Sequence, residues 1–122
     1  MITGIGVDLI EVERVVKACQ KEAFLTRLYT VHEIEIIRKD MNKAAGNFAV
    51  KEAVAKMFGT GFRKIRPIEI EVLRNPEGKP YVNLHGEAAR LADQQGITDI
   101  HVSITNTKEF ANAFVVGEHR DN

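Results

Sequence analysis

Phe48-Ala49-Val50-Lys51-Glu52-Ala53-Val54-Ala55-Lys56 sets a carboxylate and an ammonium one helical turn apart in a segment that is apolar nearly everywhere else. The longer stretch around it, about Lys43 to Phe58, reads as a helix with two apolar sides. Val50, Val54, Met57 and Phe58 cover one, and Ala45, Phe48, Ala49 and Ala53 cover the other. A helix that is apolar all round is buried. Glu52 and Lys56 stand i, i+4 in the favourable order, and on an exposed face such a pair contributes only about 0.2–0.5 kcal/mol. Amid Ala45, Phe48 and Ala49 the desolvation of two charges outweighs so ordinary a bridge, so the pair is expected to face a cleft.

Outward from this helix the periodicity changes. Ile2 to Ile10 is β-branched and carries Gly4 and Gly6, as in a strand that bends or that lets another element approach its backbone closely. From Glu11 to about Glu22, Val12, Val15, Val16 and Cys19 recur at helical spacing, with Arg14, Lys17 and Lys21 on the opposite stripe. Thr30-Val31-His32-Glu33 has the capping-box pattern and predicts a helix over Val31 to Asp40. Beyond Gly59, the alternation Ile68 to Val72, the turn residues Asn75 to Pro80 and the run Tyr81 to Leu84 predict a hairpin. Gly86 to Gln95 reads as a short amphipathic helix closed by Gly96. Ile100, Val102 and Ile104 alternate before Thr105-Asn106-Thr107 turns the chain into Phe110 to Val116, a second hairpin. The polar residues Gly117 to Asn122 are expected to fray.

At 122 residues and 44% hydrophobic, the chain suits one compact domain over 1–122. Its 17 basic and 17 acidic side chains cancel, so no overall field draws it to nucleic acid or to an anionic membrane. No apolar run approaches the roughly 20 residues that span a bilayer, and the apolar start lacks a basic leader. The lone Cys19, among Val12, Val15 and Val16, is expected to be a small buried hydrophobe in a reducing, cytoplasmic setting. The four histidines have no metal-ligand spacing, which argues against a histidine-bound zinc.

Asp8 has two readings: a carboxylate stabilising the start of the helix after it, or a metal ligand. A magnesium site needs only one or two protein carboxylates, because the ion keeps waters and takes phosphate oxygens from the substrate. Asp8 with Glu52 forms such a pair if the two meet in space. Lys79, in the Gly78-Lys79-Pro80 turn, and Thr105-Asn106-Thr107 offer an ammonium, hydroxyls and turn amides to a phosphate; plain turn chemistry accounts for both equally well.

In order and approximate spacing, Gly4-Ile5-Gly6-Val7-Asp8 with Glu11 and Arg14, Phe24-Leu25-Thr26-Arg27 through Thr30 and Glu33, Phe48-Ala49 with Lys51-Glu52-Ala53 and Lys56, Asn75 with Gly78-Lys79-Pro80, and Val102-Ser103-Ile104-Thr105 with Thr107 resemble the bacterial holo-(acyl carrier protein) synthases. The likeness covers nearly the whole chain, and its motifs are specific in combination. It implies an α+β fold, a small antiparallel sheet packed with helices, of the 4′-phosphopantetheinyl transferase type. It implies transfer of 4′-phosphopantetheine from coenzyme A to a serine hydroxyl of apo acyl carrier protein, magnesium as cofactor, and a homotrimer with active sites at subunit interfaces. In that frame Asp8 and Glu52 ligate the metal and Lys56 neutralises charge on the transferred and leaving groups. Either Glu52 or a metal-bound water takes the serine proton. Lys56, Lys79, Pro80, Thr105, Asn106 and Thr107 lie along coenzyme A. Arg14, Lys17, Lys21 and Arg27 become a docking face for an acidic carrier protein, where a solvated face is the alternative.

The chain departs from that pattern at two positions. Asn106 stands where the family usually has His, and Asn47 where it usually has Arg, each removing a potential positive charge near the coenzyme A phosphates. An active enzyme is the expectation. The alternative is a non-catalytic module that binds coenzyme A or a carrier protein, with Asn47 and Asn106 marking its decay. A third class, an unrelated α+β interaction domain, predicts no coenzyme A binding.

Overall fold

The computed structural model describes residues 1–121, and in it the apolar central segment forms helix α4, Asn42–Phe58. Ala45, Ala49, Val50, Ala53 and Val54 are wholly inaccessible, so both sides of the helix are covered, as its two apolar faces require. Gly59, at φ +81°, ends it in the left-handed conformation that a residue without a Cβ adopts easily.

What covers α4 is mixed. The elements are β1 (Ile2–Glu11), α1 (Val12–Ala18), α2 (Glu22–Leu28), α3 (Val31–Lys39), α4, β2 (Ile70–Arg74), β3 (Pro80–Leu84), α5 (Gly86–Gln95), β4 (Asp99–Asn106) and β5 (Phe110–Glu118). One antiparallel sheet has the order β1-β5-β4, and β2 and β3 form a separate antiparallel hairpin. The sheet lays one face on α4. One apolar cluster joins α4 to β2, α5 and β5, and a second joins the start of α4 to α1, α2 and α3. Helices surrounding and packing on small antiparallel sheets give the expected α+β class.

The contact between β1 and α4 is unusually close, and glycine permits it. A Cβ on Gly4 would lie 2.5 Å from the Met57 carbonyl oxygen, and one on Gly6 would overlap the carbonyl of Ala53. The strand thus rides directly on the helix backbone, which is the close approach that the two glycines predict.

Four segments differ from the sequence expectation. The run Glu11 to Glu22 is not one helix: α1 stops at Ala18, the amides of Gln20 and Lys21 tighten onto the carbonyls of Lys17 and Ala18, and α2 begins at Glu22. That turn lets Cys19, Leu25, Leu28 and Tyr29 bury together, a gain that local periodicity cannot reveal. Ile68 belongs to a single 3₁₀ turn, Pro67–Glu69, because proline fixes its first residue and Glu69 Oε1 accepts from the Arg66 amide at 2.9 Å; the strand starts at Ile70. The chain reverses after Asn106 rather than at Thr105, since β4 stays paired through Asn106↔Ala111. The C-terminal segment is tied down through His119, whose amide donates to the Met1 carbonyl at 2.8 Å. Asn122, the last residue of the predicted frayed tail, lies outside the described residues.

Candidate active site

Asp8 sits inside β1, paired with Ala113, with its side chain on the sheet face that meets α4. The strand runs on to Glu11, and the start of α1 has no side-chain cap, so the helix-capping reading of Asp8 does not apply. On α4, one turn apart, stand Glu52 and Lys56. Lys56 Nζ donates to Asp8 Oδ1 at 3.1 Å and to the Val7 carbonyl at 3.0 Å. Its side chain is 55% exposed and that of Asp8 15%, so the pair joins an open ammonium to a largely covered carboxylate. Glu52 is half-buried. Burial and the neighbouring charge of Asp8 push its carboxyl above the ordinary range, against the pull of Lys56. The structure thus brings together residues 44 positions apart in sequence, Asp8 and Glu52, with Lys56 beside them.

Two observations bear on a cation at this place. The second oxygen of Asp8, Oδ2, is a buried side-chain atom without a hydrogen-bond partner among the described residues. Glu52 is held above its usual pKa partly by that same carboxylate. Two hard oxygen donors that repel one another, one of them unsatisfied, fit a divalent ion of the magnesium type, which takes few protein ligands. Among the described residues, no group of three or more His, Cys, Asp or Glu gathers as a protein-only metal cage would require.

The other residues named from sequence lie elsewhere. Lys79 is exposed in the β2–β3 turn, where its amide donates to Asn75 Oδ1 at 2.9 Å, and Pro80 opens β3 opposite Arg74. Thr105 and Asn106 end β4, exposed, and the Thr107 hydroxyl accepts from the Phe110 amide at 2.9 Å, closing the β4–β5 turn. Among the described residues, no hydrogen bond or ion pair links this group to Asp8, Glu52 or Lys56.

The basic residues do converge. Arg14 and Lys17 on α1, Lys21 in the turn and Arg27 on α2 line one open cavity of about 570 Å³, together with Phe24. The break between the two helices brings Arg27 round to the side of Arg14. A second cavity of about 410 Å³ adjoins it, sharing Arg14 and Phe24, and reaches Leu9, Phe48 and Phe110 beside the strand that carries Asp8.

Sequence reasoning missed a buried polar network on the far side of α4. Lys51, wholly buried, donates to Glu33 Oε1 at 2.8 Å and to the carbonyls of Pro67 at 2.9 Å and Ile70 at 2.5 Å. Its ammonium also lies 5.3 Å from the Tyr29 ring centre. Burial pushes the Lys51 pKa down and that of Glu33 up, and each charge opposes the other's shift. Asn47 is buried too, giving hydrogen bonds to Glu33 Oε2 at 2.9 Å and the Val72 carbonyl at 3.0 Å. The available signal was Asn47 and Lys51 at i, i+4 on a helix with no exposed side. Glu33 meanwhile completes the predicted capping box with Thr30.

A mixed fold that joins a carboxylate pair and a lysine where a glycine-bearing strand meets a buried helix is the frame in which the likeness to known proteins is to be placed. The chain is 62% identical over 118 residues to a holo-[acyl-carrier-protein] synthase of Lachnoclostridium phytofermentans, covering 97% of each. Its structure matches the crystal structure of a holo-[acyl-carrier-protein] synthase from Neisseria meningitidis with a TM-score of 0.87 at 31% identity, over 97% of this chain and 99% of that one. It matches the Bacillus anthracis holo-(acyl-carrier-protein) synthase in complex with coenzyme A (3′,5′-ADP) with a TM-score of 0.80 at 33% identity, over 98% and 99%. Residues 4–114 match the family model of the 4′-phosphopantetheinyl transferase superfamily, and the chain belongs to that family.

Proposed function

We propose that this chain is a holo-(acyl carrier protein) synthase. It moves 4′-phosphopantetheine from coenzyme A to a serine hydroxyl of apo acyl carrier protein, with adenosine 3′,5′-bisphosphate as the other product. The observation that carries the reading is the apposition of Asp8, Glu52 and Lys56, in a chain 62% identical over nearly its whole length to a protein of that name.

Asp8 and Glu52 would hold magnesium. When bound, the ion would draw charge from the pyrophosphate of coenzyme A and orient it for in-line displacement. Lys56 keeps one face open to solvent while anchored to Asp8, so its ammonium can meet negative charge on the phosphates entering from that side. The four cations around the open cavity make no ion pair with described residues and leave their charge to an acidic carrier protein. The adjoining apolar cavity leads from that face toward β1 and suits an uncharged chain passing between carrier and cofactor.

The protein works as a homotrimer in the cytoplasm. In support, the sheet face turned away from α4 exposes Ile5, Val7, Leu9, Phe110 and Phe114 side by side, with Val7 directly opposite Phe114 in the ladder. An apolar patch of this kind calls for a protein partner, and a second copy of the chain is the partner the family resemblance supplies. Thr105 pairs with Asn112 on that same face, so a copy docked there would meet it. Lys79, Pro80, Thr105, Asn106 and Thr107 are accordingly assigned to the nucleotide half of coenzyme A, across a boundary from the carboxylates.

Incubation with coenzyme A, magnesium and apo acyl carrier protein, read by intact mass spectrometry, tests the whole proposal. A phosphopantetheine adduct on the carrier is expected. Coenzyme A binding without an adduct would point instead to a non-catalytic module.

A further inference from the structure

Arg74, the last residue of β2, is a partly buried cation with no described carboxylate at ion-pair distance. Its Nη1 donates to Asn47 Oδ1 at 2.6 Å, the one hydrogen bond its guanidinium makes among the described residues. A guanidinium carries five N–H donors, and those left over here are not sealed from solvent, so they stay open to an acceptor that arrives from outside. The amide that holds it is itself fixed. Because Asn47 Nδ2 is committed to Glu33 and to the Val72 carbonyl, its oxygen can only face Arg74. Nor does a carboxylate pair with it directly among the described residues: Glu33 is held by Lys51 and acts on Arg74, like Asp40, only through space. Burial accordingly lowers the Arg74 pKa, with Glu33 and Asp40 pulling the other way.

Its surroundings indicate what could arrive. Arg74 Nη2 lies 3.6 Å from the point where a Cβ on Gly46 would stand, and Ile104 Cγ2 lies 3.4 Å from that same point. The missing side chain thus opens a slot between α4 and β4 that the guanidinium occupies. Ile104 directly precedes Thr105, Arg74 is paired with Pro80, and the Asn75 amide is bonded to the Lys79 carbonyl at 2.9 Å. The cation therefore stands where the hairpin turn and the end of β4 come together. A planar donor fork matches phosphate oxygens two at a time, which a lysine in the same place does not.

We propose that Arg74, aimed by Asn47, binds a phosphate group of coenzyme A. The inference rests on the reading of the chain as a coenzyme A-dependent transferase. Asn47 acts here as a positioning residue, and Lys79 on the adjoining turn adds a second, exposed positive charge.

Steady-state transfer by wild type, Arg74→Gln and Arg74→Lys, with coenzyme A and with dephospho-coenzyme A, tests it. Arg74→Gln should raise KM for coenzyme A about tenfold or more, since a hydrogen bond to a charged group contributes about 1.5–3 kcal/mol. KM for the carrier protein should stay within about twofold. Arg74→Lys should restore part of the loss. A penalty that vanishes with dephospho-coenzyme A assigns the contact to the 3′-phosphate, and one that persists assigns it to the pyrophosphate; both support the proposal. An unchanged KM for coenzyme A, or a loss confined to kcat or to the melting temperature, overturns it. Should Arg74→Gln fail to fold, Arg74→Lys decides alone, with a rise of about threefold in KM for coenzyme A as the supporting result. Wild-type protein that forms no adduct would sink the functional reading itself, whereas wild-type transfer beside an indifferent Arg74→Gln sinks only the role of Arg74.

Discussion

The ammonium of Lys56 lies 3.1 Å from Oδ1 of Asp8, 48 residues away, while Oδ2 of the same carboxylate is buried without a partner. Half of Asp8 is thus satisfied by the protein and half is left for something else. With Glu52 close enough to feel the charge of Asp8, that remainder is the basis of the proposed cation site. Asp8→Asn and Glu52→Gln should each reduce transfer by about 100-fold or more, with far-UV circular dichroism unchanged. Near-normal turnover in either variant, measured as holo-carrier formed per minute, would count decisively against a shared ion.

The same geometry has a stability signature. Glu52 titrates in the folded protein above the unfolded value, so its contribution is fully present below about pH 4.3, the ordinary glutamate value, and is lost as pH rises through the folded pKa. Glu52→Gln should therefore melt higher than wild type at pH 7, and the difference should close below pH 4. Magnesium should raise the wild-type melting temperature at pH 7 and leave Asp8→Asn unmoved. Thermal melts across pH, with and without the ion, read both effects; a wild type indifferent to magnesium up to tens of millimolar contradicts them.

Much of this site is visible in the sequence, and the reason is local. Glu52 and Lys56 advertise themselves as charges on a helix without an exposed face, and Gly4 and Gly6 beside Asp8 signal a strand that another backbone approaches. That the strand and the helix are each other's partners is a long-range fact, which only the packing of Gly6 against Ala53 supplies. Lys51 was hidden for the same reason. Its acceptors are Glu33, Pro67 and Ile70, which no spacing connects to it. The break between α1 and α2 escaped because Val12 to Cys19 keep helical periodicity up to the point where Leu25 and Leu28 pull the chain round.

Lys51 and Glu33 make a buried pair in which both partners are inaccessible, and its removal by halves should be severe. Lys51→Met leaves a carboxylate without its counter-charge, as well as two carbonyls without their donor, and should destabilise the fold by about 3–5 kcal/mol. The double variant Lys51→Met with Glu33→Gln should recover a substantial part of that loss. Urea denaturation of the two variants checks the order; a single variant no less stable than the double contradicts the network.

Charge at the open cavity should govern encounter rather than chemistry. Arg14→Glu with Lys17→Glu should lower kcat/KM for the carrier protein by about tenfold or more at low ionic strength, and KM for coenzyme A should not change. Raising salt should shrink the difference, because exposed charges are screened within about 10 Å at 0.1 M. A kcat/KM that responds to neither salt nor reversal removes this face from the docking surface.

Val7 and Phe114 face each other across the β1–β5 ladder, both exposed, on the side of the sheet turned away from α4. If copies of the chain pack there, a carboxylate at each of these positions must be desolvated in the assembly and not in the monomer, at several kcal/mol per interface. Val7→Glu with Phe114→Glu should give a folded monomer by sedimentation, where wild type should sediment as the proposed trimer. Because no hydrogen bond or ion pair among the described residues links Lys79 or Thr105 to Asp8, Glu52 or Lys56 within one chain, the monomer should also lose transfer even though its carboxylates are intact. Full activity in a monomeric variant would show that one chain builds the whole site; a wild-type protein that sediments as a monomer would leave the apolar face to a different partner.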